Sequence, residues 1–202
     1  MKRVVFLILC FFIVSSSVFA AIFSDVPDNH WASTCINKLA NDGVILGYGD
    51  GAYHPDEQIS YGQFIKLVMA TRFSNEMFED EGVTGDYNHW AAPYVKLAEI
   101  YGIIEVGDIT QENIDLPIPR IEMVSIVSMA DMILNGKDFD CSKDLEFLDI
   151  FSVVGKERTL LQHAYSRGLV LGDAEGTFRP NDYMIRSEAA MMIYRFCGLG
   201  GE

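Results

Sequence analysis

Residues 23–64 read FSDVPDNHWASTCINKLANDGVILGYGDGAYHPDEQISYGQF. An opening F-S-D-V is followed by H-W-A, a helical run, a glycine-dense link and a second helical run, and the chain writes this pattern three times. Shifted copies begin near Tyr87 and Phe147. Gly43, Gly102 and Gly168 each stand 20 residues before Gln63, Glu122 and Glu188, and each of those opens an apolar run of helical period. A repeat of this length is one supersecondary unit that cannot bury its own apolar face alone. Function is therefore to be sought between copies.

The local signals within a copy are specific. Asp28 or Asn29 can cap a first helix by accepting first-turn backbone N–H groups, and Ile36, Leu39 and Ala40 fall on one face of a helix expected over about 31–41. Gly43 ends it by taking a left-handed backbone just past the last turn. The link Gly47-Tyr48-Gly49-Asp50-Gly51-Ala52-Tyr53-His54-Pro55 is too dense in turn formers to be helical. Ser60 and Gln63 have the spacing of a capping box, and Phe64, Leu67, Val68 and Thr71 then line one face. Met123, Ile126, Val127 and Ala130 repeat that phase, as do Ala189, Met192, Ile193 and Phe196. Three helices with one shared apolar face are expected to pack together. The second copy keeps His89-Trp90-Ala91 but loses the link signature, whereas the third has Gly155-Lys156-Glu157 where H-W-A stood and recovers from Gly168 onward.

Composition bounds what the chain can do. Half of its 202 residues are apolar, enough for a real core. Lys2 and Arg3, an apolar run over 4–14, three serines and Val18-Phe19-Ala20 form a secretory signal with cleavage before Ala21. A membrane anchor fits less well because the apolar run is short. A lipoprotein cysteine at Cys10 fits less well because bulky Leu9 precedes it. Cleavage leaves 13 basic against 29 acidic residues, a formal charge of −16, which argues against nucleic acid as a partner. Cys35, Cys141 and Cys197 survive without C-x-x-C spacing, so neither a zinc site nor a disulfide framework is indicated; one bridge plus a thiol and three buried thiols are both compatible.

Enzyme and cofactor readings find no support. GYGDG lacks the spacing and the βαβ setting of a dinucleotide loop, and only Asp50 and Asp56 suggest a calcium loop. There is no H-E-x-x-H, G-x-S-x-G or P-loop, and His30 and His89 suit local hydrogen bonds better than a metal. Neither cofactor nor metal is expected. Scattered carboxylates leave a glycosidase as a weak alternative.

These residues resemble the S-layer homology family, with its F-x-D-V, H-W-A, G-Y-x-D-G-x-F-x-P link and I-T-R-A-E helix start. The resemblance divides the chain into a signal peptide (1–20), repeats at 21–74, 87–134 and 147–199, an acidic spacer (75–86) and a polar linker (135–146). It implies an all-α fold of three helix-loop-helix repeats, a pseudo-threefold spindle around a central three-helix bundle. It also implies a non-catalytic, secreted, wall-anchoring role through secondary cell-wall polysaccharide or another peptidoglycan-linked polymer, often carrying pyruvyl ketals. The alternative is an envelope assembly protein acting through protein contacts.

Carried over by position, the family's Arg falls on Arg120 and Arg186 and its acid on Glu122 and Glu188, while Tyr61 and Gln63 stand there in the first copy. A guanidinium can hold a ketal carboxylate in two parallel charge-assisted hydrogen bonds, and at a helix start backbone N–H groups could share the anion. The rival is an ion pair between each Arg and its neighbouring Glu. Trp31 and Trp90 can offer a flat face to a sugar, although core packing is the more economical reading. Asp25 and Asp149 suit either sugar hydroxyls or turns. On this reading the first copy is the poorest binder, because Tyr61 replaces the Arg.

Overall fold

In the computed structural model residues 22–73 and 83–200 are described; the segment expected to be a signal and most of the expected acidic spacer lie outside them. The described helices are α1 (Ser33–Asn41), α2 (Tyr61–Ala70), α3 (Ala92–Ile100), α4 (Arg120–Leu134), α5 (Gly155–Ser166) and α6 (Arg186–Phe196). Extended pairing among the described residues is confined to isolated bridges, so the fold is all-α.

Gly43, Gly102 and Gly168 take φ of 76°, 71° and 71° after α1, α3 and α5, a backbone that residues with a Cβ adopt only under strain. Ser60 caps α2 as expected: its hydroxyl accepts from the Gln63 N–H at 3.3 Å, and the Gln63 side chain accepts from the Ser60 N–H at 3.1 Å. At α1 the expected Asp28 or Asn29 cap is not formed. His30 Nδ1 accepts the Ala32 N–H at 3.1 Å instead, and His89 treats Ala91 in the same way at 3.1 Å. The imidazole thus turns the chain into the helix, which accounts for a local role for both histidines. Where the third copy lacks this histidine, helical structure begins earlier, at Gly155.

Helices α2, α4 and α6 each touch the other two, and their shared faces are buried, with Phe64, Met123, Val127, Ala189 and Ile193 all at 0% exposure. The outer helices pack chiefly outside their own copies. Helix α3 lies on α2, α5 lies on α4, and α1 closes the circle on α6. A copy therefore covers its apolar face with its neighbour, and the first and last copies are neighbours too.

Backbone hydrogen bonds lock that circle at one end of the central helices. The Ile59 N–H donates to the Met184 carbonyl at 2.9 Å, Met184 to Ile118 at 3.2 Å, and Ile118 back to Ile59 at 3.0 Å. The first two N–H groups of each central helix then reach into the link of another copy. Tyr61 and Gly62 donate to Leu116 and Ile114, Arg120 and Ile121 to Asp182 and Pro180, and Arg186 and Ser187 to Glu57 and Pro55. Helix starts leave unsatisfied donors; here neighbouring copies satisfy them.

Candidate functional site

Because each helix start meets another copy's link, each groove between copies is built from all three. The first groove, about 360 Å³, combines Tyr48 and Tyr53 of the first link, Gln63 and Lys66 of α2, Trp90 of the second copy and Arg186 of the third. The third, about 250 Å³, combines Asp173 and Arg179 of the third link, Glu188 of α6, Trp31 of the first copy and Arg120 of the second. The second, about 390 Å³, holds Tyr61, Glu105, Asp108, Glu122, Lys156 and Glu157.

The two arginines sit in different electrostatic settings. Arg186 is 8% exposed; its guanidinium carbon lies 4.7 Å from the centre of the Tyr48 ring and 4.5 Å from that of Tyr53. Its Nε donates to the Tyr53 carbonyl at 2.8 Å. No carboxylate among the described residues lies within ion-pair distance of it. Arg120 lies 5.3 Å from the Phe178 ring centre, the equivalent stacking, but its Nη1 is 3.6 Å from Glu188 Oε1, which Arg179 also approaches at 3.5 Å. Burial pulls the Arg120 guanidinium below its ordinary value and Glu188 opposes that shift. An ion pair exists in the third groove, then, but with the acid of another copy and not with neighbouring Glu122.

Glu122 is engaged elsewhere. The Tyr61 hydroxyl donates to its Oε2 at 2.6 Å in the second groove, where Lys156, at the position of the lost tryptophan, pairs with Glu105 at 3.1 Å. Four carboxylates against one lysine make that groove unsuited to an anion. The Tyr61 substitution thus damages the second groove and not the first. The first groove instead receives Arg186, together with the neutral Gln63, whose amide donates to the Tyr48 hydroxyl at 3.0 Å.

Trp31 and Trp90 are 56% and 55% exposed, so they are not core anchors; each stands at the rim of a groove. Asp25 accepts the Tyr53 and His54 N–H groups at 2.8 and 2.7 Å, and Asp149 accepts those of Phe178 and Arg179 at 2.8 and 2.7 Å. His54 and Arg179 both have φ of 57°, so these aspartates clamp the left-handed corner of the link. The first two N–H groups of each central helix are also unavailable to an anion, since link carbonyls already accept them. The cysteines follow neither option read from the sequence: all three are unpaired, with Cys35 buried and Cys141 and Cys197 exposed.

The sequence reading missed Lys66, Tyr48, Tyr53 and Arg179. Superposing the copies by position would have shown Lys66 against Ser125 and Met191, a cation confined to one copy.

The S-layer homology domain model matches residues 22–65 and 161–190, and the chain belongs to that family. It is 31% identical over 176 residues to S-layer protein EA1 of Bacillus anthracis, covering 85% of this chain and 19% of that protein. It is 29% identical over 177 residues to an amylopullulanase of Thermoanaerobacterium thermosulfurigenes, covering 85% of this chain and 9% of the enzyme. With a cellulosome-anchoring protein of Acetivibrio thermocellus identity is 26% over 141 residues, covering 63% of this chain and 29% of the relative. The chain thus spans a small part of each of these relatives. No helix among the described residues is long and apolar enough to cross a membrane.

Proposed function

We propose that the chain is a non-catalytic module that anchors to the bacterial cell wall by holding an anionic secondary polysaccharide in the grooves between its copies. The observation that carries this reading is Arg186. It is a guanidinium at 8% exposure with no carboxylate partner among the described residues, in a chain of formal charge −14. A desolvated charge without a counter-ion is costly, and an anionic ligand would supply one. Trp90 and Tyr48 at the same groove add flat faces for a sugar ring, and a pyruvyl ketal would add the carboxylate. The proposal includes secretion to the cell surface, repeats at 21–74, 87–134 and 147–199, and ligand contact by Arg186, Gln63 and Trp90 in the first groove and Arg120, Glu188 and Trp31 in the third. Asp25 and Asp149 shape the links, and Glu122 is held by Tyr61. Co-sedimentation with purified wall sacculi, before and after chemical removal of secondary polymers, tests it: binding is lost with the polymers, and equal binding to stripped sacculi overturns it.

A protein partner has a separate observation in its favour. Leu148, Phe151 and Val154 open the third copy at 65%, 89% and 65% exposure, in a short segment where solvent is a poor neighbour. Self-association would appear in light scattering without sugar and would vanish in a Phe151→Ser variant.

A further inference from the structure

We propose that Lys66 is a second anion-holding residue of the first groove, which makes that groove the module's principal site for a carboxylate-bearing sugar, gripped jointly by Lys66 and Arg186. The inference rests on the anionic-polysaccharide reading and refines it to one groove and one cation outside the family motif. Lys66 lies on α2, one turn beyond Gln63, and lines the same cavity as Arg186, Tyr48 and Trp90. Its Nζ donates to the Val44 carbonyl at 2.6 Å, which engages one of three N–H groups and leaves two. No carboxylate among the described residues pairs with it, and none lines this cavity.

The other two grooves lack this arrangement. Ser125 and Met191 occupy the position in the second and third copies. Arg120 already shares Glu188 with Arg179 in the third groove, and carboxylates outnumber the single lysine in the second. Two cations with no acid beside them, in an acidic chain, leave an unmet demand for negative charge in the first groove; the third groove carries more guanidinium groups, Arg120, Arg179 and Arg195, but also contains the carboxylates of Asp173 and Glu188.

The surroundings give the grip a pH signature. The titratable groups facing Lys66 are Arg186 from α6, Tyr48 and Tyr53 from the link and Tyr94 from α3. Burial, and then the nearby Arg186 charge, pull the Lys66 ammonium down to about 8. Burial pushes Tyr53 and Tyr94 up, so these two stay neutral through that range. A bound carboxylate favours the charged amine and raises its value in the complex. Affinity is therefore highest below the free value of about 8 and falls as pH rises through it, with proton uptake on binding.

The test is calorimetry of the full chain with a methyl hexopyranoside carrying a 4,6-pyruvyl ketal, against the same sugar with a carboxylate-free ethylidene ketal. The wild type should bind the acid ketal roughly 10-fold more weakly at pH ~9.5 than at pH ~7, the scale of one charge-assisted hydrogen bond. Lys66→Met, which installs the Met191 residue type, should show the weaker value at both pH values, and Lys66→Arg should bind tightly at both. Wild-type affinity in Lys66→Met at pH ~7 overturns the role of Lys66 and leaves the groove reading standing. Equal affinity for the two ketals, or no binding of either, overturns both. Matching melting curves for Lys66→Arg and the wild type establish that the site is folded.

Discussion

The Tyr61 hydroxyl donates to Glu122 Oε2 at 2.6 Å across the boundary between the first and second copies. Burial and this acid together push the phenol well above its ordinary value of 10.0, so the proton stays on Tyr61 and the carboxylate accepts. The bond joins two positions that the family motif places in separate repeats, and it fills the second groove with an internal contact. Tyr61→Phe should therefore cost about 1 kcal/mol of stability, a charged hydrogen bond discounted for partial exposure. Its affinity for wall polymer should match the wild type. Urea unfolding beside a sacculus-binding isotherm checks both, and a loss of binding would return the second groove to the site.

The exposed tryptophans separate a packing role from a binding one. A core tryptophan cut to alanine costs about 3–5 kcal/mol, whereas a surface position away from special features stays within about 0.5 kcal/mol. At 56% and 55% exposure, Trp31→Ala and Trp90→Ala should leave the melting temperature almost unchanged. Trp90→Ala should still weaken polymer binding, because Trp90 rims the groove that contains Arg186. Thermal melts and binding isotherms on the two variants decide it.

Asp25 gives the fold an acid sensitivity with a defined sign. Burial opposes ionisation, but the Tyr53 and His54 N–H donors outweigh it and hold the carboxyl below its ordinary 3.8. A depressed folded value contributes stability above the unfolded value and loses it as pH falls through the folded one. Asp25→Asn should thus be less stable than the wild type at pH ~7, with the gap closing below pH ~4. The midpoint of urea unfolding against pH measures the gap; a gap independent of pH would mean that the clamp does not depend on charge.

The fold was legible because its signals are local. Ser60 bonds Gln63 three residues on, each of the three glycines ends the helix just before it, and the apolar phase that Phe64, Met123 and Ala189 begin is read within each helix alone. The site was legible only in its parts. Arg120 and Glu122 are neighbours in sequence, yet Arg120 meets Glu188 and Glu122 meets Tyr61, because each helix start docks on another copy's link. Motif order identifies candidate residues, but ring closure decides which of them share a groove. The tryptophans were misjudged for a related reason: the turn made by His30 and His89 leaves the next side chain at a groove rim, and this turn depends on which imidazole nitrogen accepts.

Thiol chemistry should sort the cysteines as burial does. Burial pushes the Cys35 thiol up to about 11, and the side chain sits at 1% exposure among α1 and its neighbours. The thiolate is the reactive form, so Cys35 should label only on unfolding, while Cys141 labels in the native state and Cys197, exposed but with its thiol also pushed up by burial, labels there more slowly. On the chain from Ala21 onward, time-resolved labelling with a chromogenic disulfide should give two native-state equivalents, Cys141 before Cys197, and one that appears with urea.

The two arginines offer the sharpest comparison. Lysine preserves charge but not the planar fork, and it does not stack on rings as guanidinium does. Arg186→Lys would lose its place between Tyr48 and Tyr53 and its bond to the Tyr53 carbonyl. Arg120→Lys would keep an ammonium near Glu188, with Arg179 still beside it. If the first groove carries most of the binding, Arg186→Lys should weaken attachment to sacculi by roughly 10-fold or more, the equivalent of about 1.5 kcal/mol, and Arg120→Lys by roughly 2- to 3-fold. Both losses should shrink as salt rises, since screening weakens the wild-type contact as well. Equal losses would spread the function over both grooves, and a larger loss for Arg120→Lys would move it to the third.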